Sequence, residues 1–142
     1  MVLDTSALLA VLLNEPEATA MALAIEADPV RLLSAANLVE TGIVIEARVG
    51  EAGGRELDLL LQKAAIEVVP VDADQAELGR HAYRHFGKGR HAAGLNYGDC
   101  FAYALAQSAG EPLLFKGDDF SKTDVAAVPW SSPSSIANWQ SV

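Results

Sequence analysis

Cysteine is almost absent from this sequence of 142 residues, which contains only Cys100. A single cysteine excludes an internal disulfide, so we expect Cys100 to be a small apolar residue in a reducing cytoplasm. Long apolar runs are also lacking, since none reaches the roughly 20 residues that a membrane-spanning helix needs. No basic segment precedes the first apolar stretch, so we expect no signal peptide and no membrane partner.

Basic residues are scarce too, with 10 Lys and Arg against 19 Asp and Glu and a formal net charge of −9. This balance argues against a nucleic-acid partner, because phosphate backbones are bound by Lys and Arg. Residues 78–98 are the exception, since they lack acids and contain Arg80, Arg84, Lys88, Arg90, His81, His85 and His91. We interpret this basic segment as a candidate contact for substrate phosphates, with a solvated helix face as the alternative. The spacing of His81 and His85 would suit zinc, but without acids nearby we do not expect a transition-metal site.

Short apolar segments alternate with longer helical ones along the chain. We predict strands at 2–3, 30–34, 66–70, 112–116 and 125–129, and helices at about 6–13, 17–27, 34–50, 52–65, 72–86 and 98–110. This alternation is typical of βαβ units, so we predict an α/β fold with a mostly parallel sheet and helices on both faces. The length predicts one domain over residues 1–142, with a Ser-rich tail from about residue 130.

Acidic residues follow the predicted strands, at the edge where parallel sheets bind ligands. Asp4 comes directly after the first strand, and Glu40 lies one turn into the helix after the second. Asp99 stands at the start of the helix before "PLLFK", and Asp118 and Asp119 follow that strand. Converging carboxylates require protons or cations, and all-oxygen ligation suits Mg²⁺ or Mn²⁺ rather than Zn²⁺. One or two such ions could activate a water for attack on a phosphodiester.

Each acid also has an ordinary structural interpretation. Asp4 and Asp99 could cap the helices that follow them. Glu40 could form a capping box with Asn37, and Asp118 could stand in a turn. Capping and metal binding are compatible, because a helix N-terminus favours the ionised carboxylate that a metal requires.

Three segments resemble one family: "VLDTSALLAVLLNEPEA", "SAANLVETGIVIEARVG" and "LNYGDCFAYALAQSAGEPLLFKGDDFSKTDV". They are similar to the PIN-domain ribonucleases, in particular to VapC-type toxins of bacterial toxin–antitoxin pairs, and the resemblance extends to about Pro129. It implies a three-layer α/β/α sandwich, usually dimeric, that cleaves single-stranded or loop RNA, often transfer RNA, with Mg²⁺ or Mn²⁺. It also implies a cognate VapB-type antitoxin that blocks the site.

By position, the resemblance implies a catalytic quartet of Asp4, Glu40, Asp99 and Asp118. Asp4, Asp99 and Asp118 would bind the metal, whereas Glu40 would act through water. Asp119 is the alternative to Asp118, because adjacent side chains point in different directions.

The predicted substrate contacts are polar or basic side chains: Thr5, Ser6, Arg80, Arg84, Lys88 and Arg90. The hydroxyls of Thr5 and Ser6 could bond metal-bound waters or the other acids, and helix capping is the alternative for Ser6. Apolar residues in the first two helices exceed what one sheet face needs. We interpret the surplus as an interface for a second subunit or an antitoxin helix, with plain core as the alternative.

Other acidic sites after a first strand fit the sequence less well. A phosphatase with an Asp nucleophile usually has a second Asp two residues on, where this chain has Ser6. A receiver domain groups its acids near one strand end, which leaves Glu40 and Asp99 without a role. A housekeeping nuclease, or a degenerate PIN-like RNA-binding protein without a toxin role, stays open as the alternative.

Overall fold

The computed structural model describes residues 1–131, which contain a four-stranded parallel sheet and six α-helices. The strands are β1 (Val2–Leu3), β2 (Leu32–Ser34), β3 (Glu67–Val69) and β4 (Leu113–Leu114). The helices are α1 (Thr5–Leu12), α2 (Ala18–Ala27), α3 (Ala35–Val49), α4 (Glu51–Lys63), α5 (Ala73–Phe86) and α6 (Tyr97–Ala109). A short 3-10 helix, Phe120–Lys122, follows β4. No helix within the described residues has the length and apolar character needed to cross a bilayer.

Successive strand residues point to opposite faces of the sheet, and each face has its own apolar core. Val2 and Leu113 belong to the core that α5 and α6 cover, together with Tyr103. Leu3 and Leu114 belong to the other core, beneath α1 and α2. Both faces are buried at β1 and β4, which is why these two strands are apolar without alternation, whereas β3 at the edge of the sheet is largely exposed. The predicted three-layer α/β/α sandwich is therefore confirmed.

The strand order β3-β2-β1-β4 places a topological switch beside β1. β2 and β3 are added successively on one side of β1, and the chain then crosses back so that β4 pairs with the other side of β1. In such sheets the crevice at the switch point is the usual ligand site. Here the crevice lies between the ends of β1 and β4, where the backbone N–H of Asp4 donates to the carbonyl of Leu114 over 3.0 Å.

The predicted last strand, residues 125–129, is wrong as an extended strand. This segment is joined to β4 by a single parallel bridge, from Ala127 to Leu113, because β4 is only two residues long. Val128 and Trp130 still pack on the core beneath α1 and α2. The predicted tail begins with that packed Trp130, and its residues 132–142 lie outside the described part of the chain.

The apolar surplus predicted for the first two helices is mostly core. Ala7, Leu8, Met21 and Ile25 are all buried. Leu23 is the exception among the large side chains, since it is 57% exposed, and two alanines of α2 are exposed as well. The alternative of plain core therefore accounts for most of these residues.

Candidate active site

Asp4 caps α1 and is held rigidly by Ser6. Its Oδ2 accepts hydrogen bonds from the backbone N–H of Ser6 at 3.0 Å and from the Ser6 hydroxyl at 2.6 Å. The same hydroxyl accepts the backbone N–H of Lys116 at 2.9 Å, which joins the start of α1 to the segment after β4. Oδ1 of Asp4 is buried without a hydrogen-bond partner among the described residues. The predicted cap is correct, and it leaves one buried carboxylate oxygen available.

Glu40 is held by Asn37 against the start of α6. Asn37 is fully buried, and its Nδ2 donates to Glu40 Oε1 at 3.3 Å and to the carbonyl of Gly98 at 2.9 Å. The capping box considered for Asn37 and Glu40 is wrong, because Ser34 is the N-cap of α3 and its hydroxyl accepts the N–H of Ala36. Asn37 therefore positions Glu40 from inside the helix.

Thr5 borders a cavity that Asp4, Glu40 and Asp99 also border, but its hydroxyl is directed to α3. It donates to the carbonyl of Asn37 at 3.4 Å and lies 3.2 Å from the hydroxyl of Thr41. These contacts tie α1 to α3 beneath the acids. Among the described residues the Thr5 hydroxyl forms no hydrogen bond with an acid, so its predicted role toward the acids stays a prediction.

Asp99 stands in the first turn of α6 and forms a reciprocal capping box with Asn96. The backbone N–H of Asn96 donates to Asp99 Oδ2 at 3.0 Å, and Asn96 Oδ1 accepts the N–H of Asp99 at 2.9 Å. The cap is therefore Asn96 and not Asp99, because the helix begins at Tyr97. The box orients the Asp99 carboxylate at a helix N-terminus, where negative charge is favoured.

The segment after β4 brings Asp119, and not Asp118, to the cavity. Gly117 has a φ of +99°, which turns the chain sharply after the strand. Phe120 is buried against Phe115, with ring centroids 5.2 Å apart, and this contact anchors the residue beside Asp119. Asp118 is exposed and does not border the cavity. The geometry thus favours the alternative that the sequence left open.

The four carboxylates Asp4, Glu40, Asp99 and Asp119 border one cavity of about 280 Å³, together with Thr5, Ser6, Asn96 and Lys116. Lys116 is the cation at its edge, but its Nζ is bound by Glu15 and, at 3.2 Å, by Glu17. No ion pair involves the four acids within residues 1–131. In the same range, no three His, Cys, Asp or Glu side chains converge closely enough to hold a metal ion as they stand.

Burial and mutual repulsion make this cavity unfavourable for negative charge. Burial is the main cause that raises the pKa of Asp4 to about 6, and the charge of Glu40 adds to it. Burial also raises the pKa of Asp99 to about 7, with further contributions from Asp4, Asp119 and Glu40. Hydrogen bonds from Ser6 and Asn96 oppose these shifts without cancelling them. All-oxygen donors, a buried oxygen without a partner and unfavourable like charges fit a hard divalent cation.

The basic side chains of residues 78–98 do not border the carboxylate cavity. Arg80 forms an exposed ion pair with Glu77 at 2.9 Å, and Arg84 is exposed. Arg80 and Lys88 border a separate groove between α5 and α6, which meets the carboxylate cavity at Asn96. The guanidinium of Arg90 lies 6.0 Å from the ring centroid of Tyr83. The substrate contacts predicted for these residues stay predictions.

Gly98 permits the close approach of Glu40 to α6. A Cβ built at this position would lie 1.9 Å from Glu40 Oε2, so Gly98→Ala must displace the carboxylate. We expect the RNA cleavage that the family resemblance implies to fall about 10-fold or more in Gly98→Ala, because a shift of about 1 Å at a positioned group is costly. Initial rates measured at fixed metal concentration test this.

Gly42→Ala is the matched control, because a Cβ there meets only Leu57 at 4.0 Å. It should keep full activity and gain up to about 1 kcal/mol of stability, as expected for Gly to Ala inside a helix. Equal rates for Gly98→Ala and the wild type would contradict the assigned position of Glu40.

Comparisons with known proteins identify the family of this chain. Residues 1–126 match the model of the PIN domain family. Ribonuclease VapC30 of Mycobacterium tuberculosis is 62% identical over 128 residues, which cover 90% of this chain and 98% of the relative. The chain therefore belongs to the PIN-domain family, among the VapC ribonucleases.

Two solved structures show the same fold at low sequence identity. Mycobacterium tuberculosis VapC20, described as a toxin that cleaves the sarcin–ricin loop, has a TM-score of 0.75 at 17% identity and covers 92% of this chain and 98% of its own. A toxin–antitoxin complex from Klebsiella pneumoniae has a TM-score of 0.65 at 19% identity, with 93% and 96% covered. The 62% identity to a VapC ribonuclease, over 98% of that relative, favours the toxin–antitoxin ribonuclease over the housekeeping or degenerate alternative.

Proposed function

We propose that this VapC ribonuclease hydrolyses RNA phosphodiester bonds in the carboxylate cavity, with a divalent cation held there. The observation that carries the proposal is the buried Oδ1 of Asp4, which has no hydrogen-bond partner among the described residues and belongs to a side chain that borders a cavity with three further acids. Leaving a buried charged oxygen unsatisfied costs stability, so its retention is better explained by a ligand than by folding.

Asp4, Asp99 and Asp119 would hold Mg²⁺ or Mn²⁺, and Glu40 would act through water. When bound, such an ion neutralises charge on the scissile phosphate and lowers the pKa of a bound water. Ser6 orients Asp4, Asn96 orients Asp99, and Asn37 keeps Glu40 at the N-terminus of α6. Fixed orientation is what these residues contribute, since a positioned carboxylate requires no rearrangement as the reaction proceeds.

The basic test is metal-dependent cleavage of a total RNA pool. The wild type should cleave with Mn²⁺ or Mg²⁺ and lose the activity in EDTA. Sequencing the newly formed ends identifies the target, which for this chain could be a transfer RNA or another structured RNA. The absence of any cleavage over a range of metal concentrations would refute the proposed function.

Adjacent Asn substitutions separate Asp119 from Asp118. We expect Asp119→Asn to lower cleavage by about 10² or more, because it removes a carboxylate from the metal cavity. Asp118→Asn is the matched control with the same chemical change one residue away. It should stay within about 2-fold of the wild type, since its side chain is exposed and outside the cavity. A larger loss for Asp118→Asn would restore Asp118 as the fourth acid.

A cognate VapB-type antitoxin is the proposed partner, and a solved relative is a toxin–antitoxin complex. Lys116, the cation that borders the carboxylate cavity among the described residues, is paired with Glu15 and Glu17, so an antitoxin Arg could bind the acids bidentately and exclude the metal. A homodimer is the proposed free form. Its support is Val39 and Ile43, which lie one turn apart on α3 and are 62% and 65% exposed. The proposed place of action is the cytoplasm, where Cys100 would stay reduced.

A further inference from the structure

A second and larger cavity adjoins the carboxylate cavity. It is a groove of about 560 Å³ between α5 and α6, and Asn96 borders both spaces. Ala76 and Gly79 of α5 and Cys100 of α6 line it, so most of its surface is apolar. The small residues let the groove run deep between the two helices. Nothing in the proposed metal chemistry requires this space.

Aromatic side chains border the groove at the end nearest the acids. Tyr97 is 78% exposed, although it occupies the first position of α6 beside Asn96. Its ring meets Phe101 edge-on, with centroids 4.9 Å apart and an interplanar angle of 83°. Tyr83, on α5, also borders the groove and is 40% exposed. Tyr97 thus presents a ring face to solvent and contributes little to the core.

Basic side chains flank these rings. Arg80 and Lys88 border the groove, and Arg90 lies over the ring of Tyr83 at 6.0 Å. In a chain of net charge −9, basic groups beside exposed aromatic rings are a local departure from the overall charge. A positively charged path with stacking rings is how proteins bind single-stranded nucleic acid. An apolar peptide would not require the basic side chains that flank the groove, so we favour a nucleic acid as the occupant.

We propose that the α5–α6 groove is a nucleobase site, in which Tyr97 stacks on an unpaired base next to the phosphate in the carboxylate cavity. The inference rests on the proposed ribonuclease function, because that function places an RNA phosphate beside Asn96. Stacking accepts any base, so the groove selects for an unpaired segment and not for one sequence. Lys88 and Arg80 contact the backbone on the far side of the base.

The test is equilibrium binding of a fluorescein-labelled, single-stranded RNA of about 12 nucleotides, within the range that such grooves accommodate. Anisotropy is measured in EDTA at low salt, so that no cleavage occurs. Tyr97→Ala should raise the Kd about 5-fold or more, whereas Tyr97→Phe should keep the wild-type Kd because stacking requires only the aromatic ring. Leu23→Ala, an exposed apolar truncation on α2, is the matched control and should leave the Kd unchanged.

Three further results decide the proposal. An RNA that contains abasic positions should bind the wild type and Tyr97→Ala alike. An unchanged Kd for Tyr97→Ala with the intact RNA overturns the proposal. If light scattering also shows that Tyr97→Ala is a monomer where the wild type is a dimer, the groove is an interface with a second copy of the chain. If the wild type binds RNA through Tyr97 but cleaves none with Mn²⁺, the proposed function fails while the nucleobase site stands.

Discussion

Asp4→Asn should abolish metal-dependent cleavage and leave the fold intact. Asn is as good an N-cap as Asp, so its side-chain oxygen can still accept the two hydrogen bonds from Ser6. The substitution removes the charge that makes the buried oxygen a metal ligand. Because a catalytic ion supplies several kcal/mol of transition-state stabilisation, we expect kcat/KM to fall by about 10³ or more. Cleavage of a defined RNA with Mn²⁺ provides the measurement.

Asp72→Asn is the matched control for this experiment. Asp72 caps α5 through Oδ1, which accepts the backbone N–H of Gln75 at 2.8 Å, and it does not border the carboxylate cavity. The same chemical change at the same kind of helix position should therefore preserve activity. Circular dichroism should show wild-type helix content for both variants. Full activity in Asp4→Asn would reduce Asp4 to a helix cap and remove the basis of the proposed function.

Local sequence patterns were sufficient to predict where Asp4 lies in the fold. A short buried strand, an acid and an apolar helix follow one another without a gap, and the parallel sheet then determines where the acid lies. The pattern also located Asp99 at the start of α6, but it could not show that Asn96 is the cap. Both residues are good caps, and the choice depends on where the helix begins, which is the least certain feature of a helix in a sequence.

Contacts between distant segments decide the features that the sequence did not predict. Asp119 faces the cavity because Gly117 adopts a positive φ and Phe120 is buried, neither of which follows from the letters "GDDF". Asn37 stands three residues before Glu40 in the sequence. Its hydrogen bond to the carbonyl of Gly98 could not be predicted, because it joins residues 61 positions apart. The apolar segment "VAAVP" predicts a strand, yet the two residues of β4 give it only one bridge. In each case tertiary packing overrides a local preference.

Stability without metal should fall as pH rises through the range where Asp4 and Asp99 ionise. The pKa of Asp4 is about 6 and that of Asp99 about 7 in the folded protein, against 3.8 for an ordinary Asp. Both pKa values are higher in the folded protein than in the unfolded chain. Below about pH 4 both groups are protonated in either state, so their burial costs no stability. The full cost is reached once the pH exceeds the pKa values of the folded protein. For the buried Asp4 the cost is about 3 kcal/mol. In EDTA, the free energy of unfolding of Asp4→Asn relative to the wild type should therefore increase from about pH 4 to about pH 7.

Divalent metal should reverse this cost in the wild type and not in the variant. An ion that binds only the folded state stabilises it by about 2.7 kcal/mol at 100 times its Kd. The gain should be larger at about pH 8 than at about pH 5, because protons compete for the carboxylates that the metal needs. Urea unfolding of both proteins with EDTA and with Mn²⁺ at the two pH values separates these contributions. Equal stabilisation of wild type and Asp4→Asn by Mn²⁺ would show that the ion binds elsewhere. A difference in stability between Asp4→Asn and the wild type that does not change with pH in EDTA would show that burial does not raise the pKa of Asp4.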